Sequence, residues 1–392
     1  MDSPDSDFAS NGTFSIPPSE PSTPGTPLEP FAARFKVKVT DPVKDGDIIV
    51  YTVKTTSLEG SGKDYAVTRE YDDFEWLHHL VLTQNNILGV VVPPLPARPV
   101  VDAKKAENKS KKTLGTNSKI LMRDDFDKDC KSLEKYLRLL LAHWAFGNDS
   151  NIAKFLTVKD APLRTKVKKG LFEKLSSAME SRKSHHRDVD DYFQKERDKA
   201  NEYAKLVTDT TNNFNKMVNS QQRISCAYGH LSTALNLSAG SQNDINNTKT
   251  ARLLIKFSEV LDDAKHGIDV DVINDENTLG SQLDLTSRYA EAVKEMLYNR
   301  TCLMIEYEEA NKAYQKAKPH KRQEAEDTKK AAEKSFEDCN EVARRELQAH
   351  SRQRLLLFSE ALGTFADAKV KTARDTYALL AKSLSALKQM EE

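Results

Sequence analysis

From residue 185 onward the chain repeats one pattern, and that pattern restricts the possible folds more than any other feature. Val189, Phe193, Ala200, Tyr203, Val207, Phe214, Met217, Ile224, Tyr228, Leu231 and Leu235 follow at alternating spacings of three and four, with Glu196, Thr210 and Gln221 in the polar gaps. Apolar side chains at that spacing share one stripe of an α-helix, which must be covered by other helices. At about 1.5 Å per residue this run alone makes a rod roughly 70 Å long. Ser238-Ala239-Gly240-Ser241 breaks it, and a second helix starts near Thr248, its later part carrying Tyr289, Val293, Met296, Leu303, Tyr307, Ala310 and Tyr314. Pro319 marks the next turn, and a third helix runs through Phe336, Ala343, Leu347, Leu357, Ala361, Phe365, Tyr377, Leu380, Leu384 and Leu387. Three long helices with short connections predict an antiparallel coiled-coil bundle. Its stripes are broader than one chain needs, which predicts a dimer with Phe193, Tyr203, Phe214, Arg300, Tyr307 and Phe365 on its seam. Arg300 and Glu196 place ions on those stripes, where an unpaired charge is costly. Such interruptions penalise self-pairing and favour a complementary partner, so a heterodimer is expected; the ladder itself is compatible with a homodimer.

The first 160 residues follow other periods. Residues 1–30 hold half of the chain's 14 prolines among Ser, Thr and acidic residues, a composition that predicts a disordered tail. Ser3-Pro4, Thr23-Pro24 and Thr26-Pro27 fit proline-directed phosphorylation, a dipeptide that such a composition also produces by chance. From Phe35 the chain alternates: Phe35, Val37 and Val39; then Ile48, Val50, Thr52 and Lys54 beyond the turn Asp45-Gly46-Asp47; then Tyr65, Val67 and Arg69 after Gly60-Ser61-Gly62. Period-two patterning bounded by Gly and Asp predicts a three-stranded antiparallel sheet. Helices are expected over Tyr71 to about Thr83, over about Ser118 to Ala142, and near Ile152 to Leu156. The expected organisation is a tail (1–30), an α+β module (31–160), a basic amphipathic linker (161–184) and an all-α rod (185–392).

Composition narrows the function. With 59 basic against 59 acidic residues, the protein as a whole is no general binder of polyanions such as nucleic acid, and any basic patch must be local. Cys130, Cys226, Cys302 and Cys339 lie far apart, without zinc-site spacing, as suits a reducing cytosol. Nothing approaches eighteen consecutive apolar residues and the N-terminus is acidic and polar, so contact with a membrane is expected to be peripheral. His185-His186 lacks further ligands, Asp124-Asp125 and Asp262-Asp263 read as solvated faces, and no P-loop or His-Glu-x-x-His occurs. No cofactor, metal or enzymatic activity is expected.

Thr68-Arg69-Glu70-Tyr71-Asp72-Asp73-Phe74-Glu75-Trp76-Leu77 followed by Pro93-Pro94-Leu95-Pro96 resembles a PX (phox homology) domain, and its place directly before a three-helix rod resembles the PX-BAR sorting nexins. Val67-Thr68-Arg69, Trp76-Leu77-His78, Leu297-Tyr298-x-Arg300-Thr301 and Tyr307-Glu308-x-x-Asn311-Lys312-Ala313 are most similar to the subgroup of sorting nexins five, six and thirty-two. The resemblance implies a peripheral protein of early endosomes and their tubules. Its implied work is retrograde and recycling transport: gathering transmembrane cargo and dimerising with another PX-BAR nexin to coat and bend membrane. In typical PX domains an Arg before the aromatic holds the lipid 3-phosphate. Glu70 stands there, and Asp129 and Cys130 occupy the place of a second basic residue. A carboxylate repels a phosphate, so only a weak phosphoinositide contact by Arg69, Tyr71 and Arg98 is expected, and Arg69 reads as a structural strand-end residue ahead of a ligand. The subgroup is understood to take cargo tails as an added strand in a groove beside the sheet edge. On this chain its contacts fall at Met122, Phe126 and Glu134; the arm Val101 to Thr116 is shorter and richer in lysine than the family pattern.

Two basic clusters are candidate membrane contacts. Lys312, Lys316, Lys318, Lys321 and Arg322 flank Pro319 at the tip of the rod, although Glu324, Glu326 and Asp327 follow at once. Arg164, Lys166, Lys168 and Lys169 precede Leu171, Phe172 and Leu175 in a stretch suited to the headgroup plane or to packing at the domain junction. The alternative from a different class is a coiled-coil scaffold that links endosomes to cytoskeletal motors, with dynein-dynactin as partner and no direct membrane contact.

Overall fold

The computed structural model describes residues 32–60, 62–101, 104, 107–108, 110–111, 126–161, 186–240 and 247–389. The N-terminal tail, residues 162–184 of the linker, Met122 and most of the arm Val101 to Thr116 lie outside them.

Three strands, β1 (Phe35–Asp45), β2 (Ile48–Ser57) and β3 (Asp64–Glu70), form an antiparallel meander in the order β1-β2-β3. The β1–β2 register slips at a bulge between Thr40 and Val43, beside Asp41 at φ 53°. The alternation Ile48, Val50, Thr52, Lys54 identifies the strand but not its inward face. Ile49, Tyr51, Val53 and Thr55 go into the core while Ile48 is 48% exposed. Both faces of β2 carry β-branched residues, so its own composition does not choose; the bulge and the inward side chains of the neighbouring strands do.

Helix α1 (Tyr71–Gln84) starts at a capping box in which Glu70 and Asp73 exchange backbone and side-chain bonds, and it lays Phe74, Leu77 and Val81 on the sheet. Helices α2 (Phe126–Leu141) and α3 (Ser150–Thr157) complete the module. α2 contributes Leu133, Tyr136, Leu137 and Leu140 to one core with Tyr51, Phe74 and Phe155.

The rod comprises α4 (Asp191–Gly240), α5 (Asn247–Asp275), α6 (Ser281–Lys316) and α7 (Arg322–Lys388). α5 and α6 are the expected second helix, joined through one π-helical turn, Glu276–Gly280. Pro319 sits in a 3-10 turn, Pro319–Lys321, that reverses the chain into α7.

The two parts share an apolar seam. Val91 and Leu139 of the α+β module cluster with Leu285, Tyr289, Val293, Ala343 and Leu347 of the rod. Gly89 allows the close approach: its φ is +77°, and a Cβ there would lie 2.7 Å from the Cys339 carbonyl oxygen and 2.8 Å from the Ala343 nitrogen.

Candidate functional site

The first site is the pocket expected to read lipid. A cavity of about 450 Å³ is lined by Asp47, Ile48, Tyr51, Glu70, Tyr71, Asp72 and Arg98, among others. Arg69 does not reach it. This side chain is 1% exposed; its Nε and Nη2 donate to the Phe155 carbonyl at 3.1 and 2.8 Å, and its Nη1 to that of Thr68 at 2.7 Å. Arg69 therefore ties β3 to α3, a structural task that rules it out as a headgroup ligand. Arg98 does face the pocket and lies 4.7 Å from the Tyr71 ring centroid, but it bonds Asp72 and Glu75, each at 2.6 Å. A phosphate would have to displace two carboxylates and approach Glu70 and Asp47.

The second site is a larger cleft of about 770 Å³ between β1, α2 and the rod. Its walls include Lys36, Lys131, Lys135 and Arg138 against Glu134 and Glu360, four positive and two negative charges, with Phe35, Leu139, Leu357 and Ala361 as apolar surface. Lys135 donates to Gln282 of the rod at 2.7 Å, and burial pushes its ammonium below the ordinary lysine value.

β1 is one of the two outer strands, and its Val39 N–H donates away from the sheet to Glu134 Oε2 at 3.2 Å. In an antiparallel pair, successive residues alternate between bonding their neighbour and pointing outward. Phe35 and Val37 share the parity of Val39, so they also turn N–H and C=O outward, along the cleft. Glu134 thus binds the edge itself, and Phe126 packs against the core of the module.

The third feature is the lock between module and rod. Glu346, on α7 and 4% exposed, accepts from the Val91 N–H at 3.1 Å and from the Trp144 indole, with His143 Nε2 at 3.4 Å. Burial alone would raise its pKa; the His143 contact, followed by the Trp144 and Val91 bonds, outweighs burial and holds it below the usual carboxylate value. Sequence reading passes over Glu346. The available signal is a carboxylate between Ala343 and Leu347, on the stripe that enters the core.

Arg300 corrects the reading of the rod. It is wholly buried within one chain, paired with Asp188 just before α4, bonded to Asn340 at 2.6 Å and stacked 3.5 Å over Phe193. Its charge is met in cis and exerts no pressure on the choice of partner. Phe193, also fully buried, leaves the expected dimer seam with it. Phe214 meets Phe365 edge-on at 6.4 Å, Tyr307 stacks on Phe336 at 6.1 Å, and Tyr203 lies under Arg354 at 4.2 Å, all within the chain. Glu196 pairs with Lys199 at 2.9 Å. The exposed apolar stripe lies elsewhere. Met217, Ile224 and Leu231 repeat every seven residues on α4, as do Val370, Tyr377 and Leu384 on α7, each between 41% and 75% exposed.

At the far end of the rod Lys312, Lys316, Lys318, Lys321 and Arg322 are exposed around the 3-10 turn. Lys312 lies 3.9 Å from Glu308, and Arg322 lies 5.5 Å from the Tyr314 ring centroid. Arg164, Lys166, Lys168 and Lys169 fall outside the described residues. Among the described residues, no helix is long and apolar enough to cross a membrane.

A small sheet with a Pro-rich crossing, locked onto a long helical bundle, defines a PX module on a BAR-type rod, and family comparison agrees. The PX domain family matches residues 58–159, and the family described as Vps5 C terminal like matches residues 168–331. Sorting nexin-32 of Mus musculus is 28% identical over 383 residues, 90% of this chain and 93% of that protein. Sorting nexin-6 of Homo sapiens is 28% identical over 381 residues, 91% of this chain and 92% of that protein. Vacuolar protein sorting-associated protein 5 of Saccharomyces cerevisiae is 33% identical over 134 residues, 32% of this chain and 19% of that protein. The chain thus carries the two domain families whose pairing marks the PX-BAR sorting nexins and is homologous to sorting nexins 32 and 6 over about 90% of its length.

Proposed function

We propose that this chain is a cargo-reading adaptor of endosomal tubules that contacts anionic membrane through its rod tip and takes extended cytosolic tails of transmembrane cargo along the outer edge of β1. The observation that carries the reading is the outward-turned backbone of Phe35 and Val37 beside a net-positive cleft. Strand addition there supplies affinity through main-chain bonds, and alternate pockets select side chains. Lys36, Lys131 and Arg138 suit a peptide that combines acidic and apolar residues. Retrograde and recycling transport from early endosomes is the route this function serves.

The pocket around Arg98 contributes little lipid affinity, because its one cation among the described residues is already paired. Membrane binding is instead a sum of weak contacts. Each Lys or Arg at an anionic surface contributes about 1 kcal/mol, and dimerisation multiplies them through avidity. The heptad stripes Met217-Ile224-Leu231 and Val370-Tyr377-Leu384 supply a dimer surface, with a second PX-BAR nexin as the partner.

Co-sedimentation tests this directly, with full-length protein and vesicles of phosphatidylcholine and phosphatidylserine, with or without single phosphoinositides. Binding is expected to be salt-sensitive, indifferent to the phosphoinositide, unchanged by Arg98→Ala and stronger with the partner nexin. Strong solitary binding to one phosphoinositide that Arg98→Ala abolishes would overturn it.

A further inference from the structure

The cleft beside β1 has a candidate occupant within the same chain. Residues 1–31 carry five acids (Asp2, Asp5, Asp7, Glu20 and Glu29) and no Lys or Arg, and the chain leaves them at Ala33 and Phe35, both on the cleft wall. Their prolines are at position 4 and from position 17 onward, so residues 5–16 keep every backbone N–H that pairing requires. In an extended conformation this stretch has two faces: Phe8, Phe14 and Ile16 on one, Asp5 and Asp7 on the other.

We propose that residues 5–16 lie antiparallel along the outer edge of β1 in this cleft, as an internal strap that an incoming peptide must displace. The proposal rests on the strand-addition reading of the cleft. Phe35 and Val37 supply the main-chain partners, Leu139 and Leu357 meet the apolar face, and Lys36, Lys131 and Arg138 meet the acids. Residues 17–31, at about 3.3 Å each when extended, reach roughly 50 Å, more than the roughly 36 Å that the eleven residues of β1 span. The connection therefore closes without strain. Such a segment cannot bury enough apolar surface to fold alone, but docking onto a preformed edge offsets its ordering cost. Tethering also gives it a high effective concentration, so that only a tight or membrane-concentrated peptide competes.

Hydrogen exchange on the full-length chain tests the strap. The wild type is compared with a Phe8→Ser, Phe14→Ser, Ile16→Ser variant, whose changes all lie outside the described fold. In the variant the Phe35 and Val37 amides should exchange about tenfold faster, while Val39, bonded to Glu134, keeps its rate. Lys36→Glu with Lys131→Glu and Arg138→Glu, all exposed positions, should reproduce that loss. Equal rates at Phe35 and Val37 in wild type and variant would overturn the strap, and so would protection that rises with chain concentration, which would assign the edge to a second copy. Adding a capped ten-residue peptide of alternating apolar and acidic residues separates the two ideas. Protection by that peptide only in the strap variant supports the strap, whereas equal protection in both proteins overturns it and leaves strand addition standing. No protection in either, with the variant's amides already fast, supports a self-docked segment and removes the edge as a site for external peptides.

Discussion

Replacing Glu346 should loosen the attachment of the PX module to the rod. Three donors converge on its carboxylate: the Val91 amide, the Trp144 indole and His143. Glu346→Ala strands the Val91 amide in a seam where Val91 is 2% exposed, which costs about 1–3 kcal/mol. Trp144 is 40% exposed and can turn to water, so its lost bond adds only about 1 kcal/mol. The expected sum is about 2–4 kcal/mol, and Glu346→Gln, which keeps one acceptor oxygen, should lose about half as much. The chain has two tryptophans, and Trp76 belongs to the module core, so a Trp76→Phe background leaves Trp144 as the reporter of the seam. Urea titration of that protein should show Trp144 fluorescence changing at lower denaturant in Glu346→Ala, ahead of the loss of rod helicity by circular dichroism. If Glu346→Ala shifts the Trp144 transition by less than about 0.5 kcal/mol, the three contacts do not hold the seam and this reasoning fails.

Asp188→Asn leaves the Arg300 guanidinium buried without its counter-ion and should cost about 3–5 kcal/mol of rod stability, whereas Arg300→Met combined with Asp188→Leu should be near neutral; equal costs in calorimetry would contradict the pairing. His78, beside the Tyr136 hydroxyl, and His350, beside Tyr289, are both held down at about 4, chiefly by burial. Their folded pKa values lie below the unfolded value, so the unfolded chain binds more protons between about pH 6.5 and 4, and stability is full above that window and falls within it. Each contributes up to roughly 3 kcal/mol, and His78→Phe should flatten the acid limb of a melting-temperature profile while lowering its neutral plateau, because the buried Tyr136 hydroxyl loses its partner. Lys318→Glu, Lys321→Glu and Arg322→Glu together remove about 3 kcal/mol of attraction per tip and should cut vesicle binding at least a hundredfold with dimerisation intact. Unchanged endosomal distribution of that triple variant would favour the motor-linking scaffold.

Much of this architecture is legible along the chain because helix and strand periods are local. The three-four spacing over Phe193 to Leu235 becomes one helix, with Val189 left outside it and 67% exposed, Pro319 becomes the reversal, and Phe74, Leu77 and Val81 pack on one face of α1. Glu70, the residue before Tyr71, lines the pocket that holds Tyr71 and Arg98, as its place in the chain predicts.

The tertiary structure decided the meetings between distant residues. By its spacing alone Arg300 is an ion on an apolar stripe; Asp188, 112 positions away, meets it inside one chain. β2 carries β-branched side chains on both faces, and only the strands beside it chose Ile49, Tyr51, Val53 and Thr55 for the core. Glu346 gained its role from Val91, 255 positions away, and from a glycine at positive φ that lets two backbones approach. Periodicity records how much of a side chain is covered, because burial repeats with the turn of the backbone. It carries no record of which group does the covering, and for a buried ion or an open strand edge that identity sets the energy.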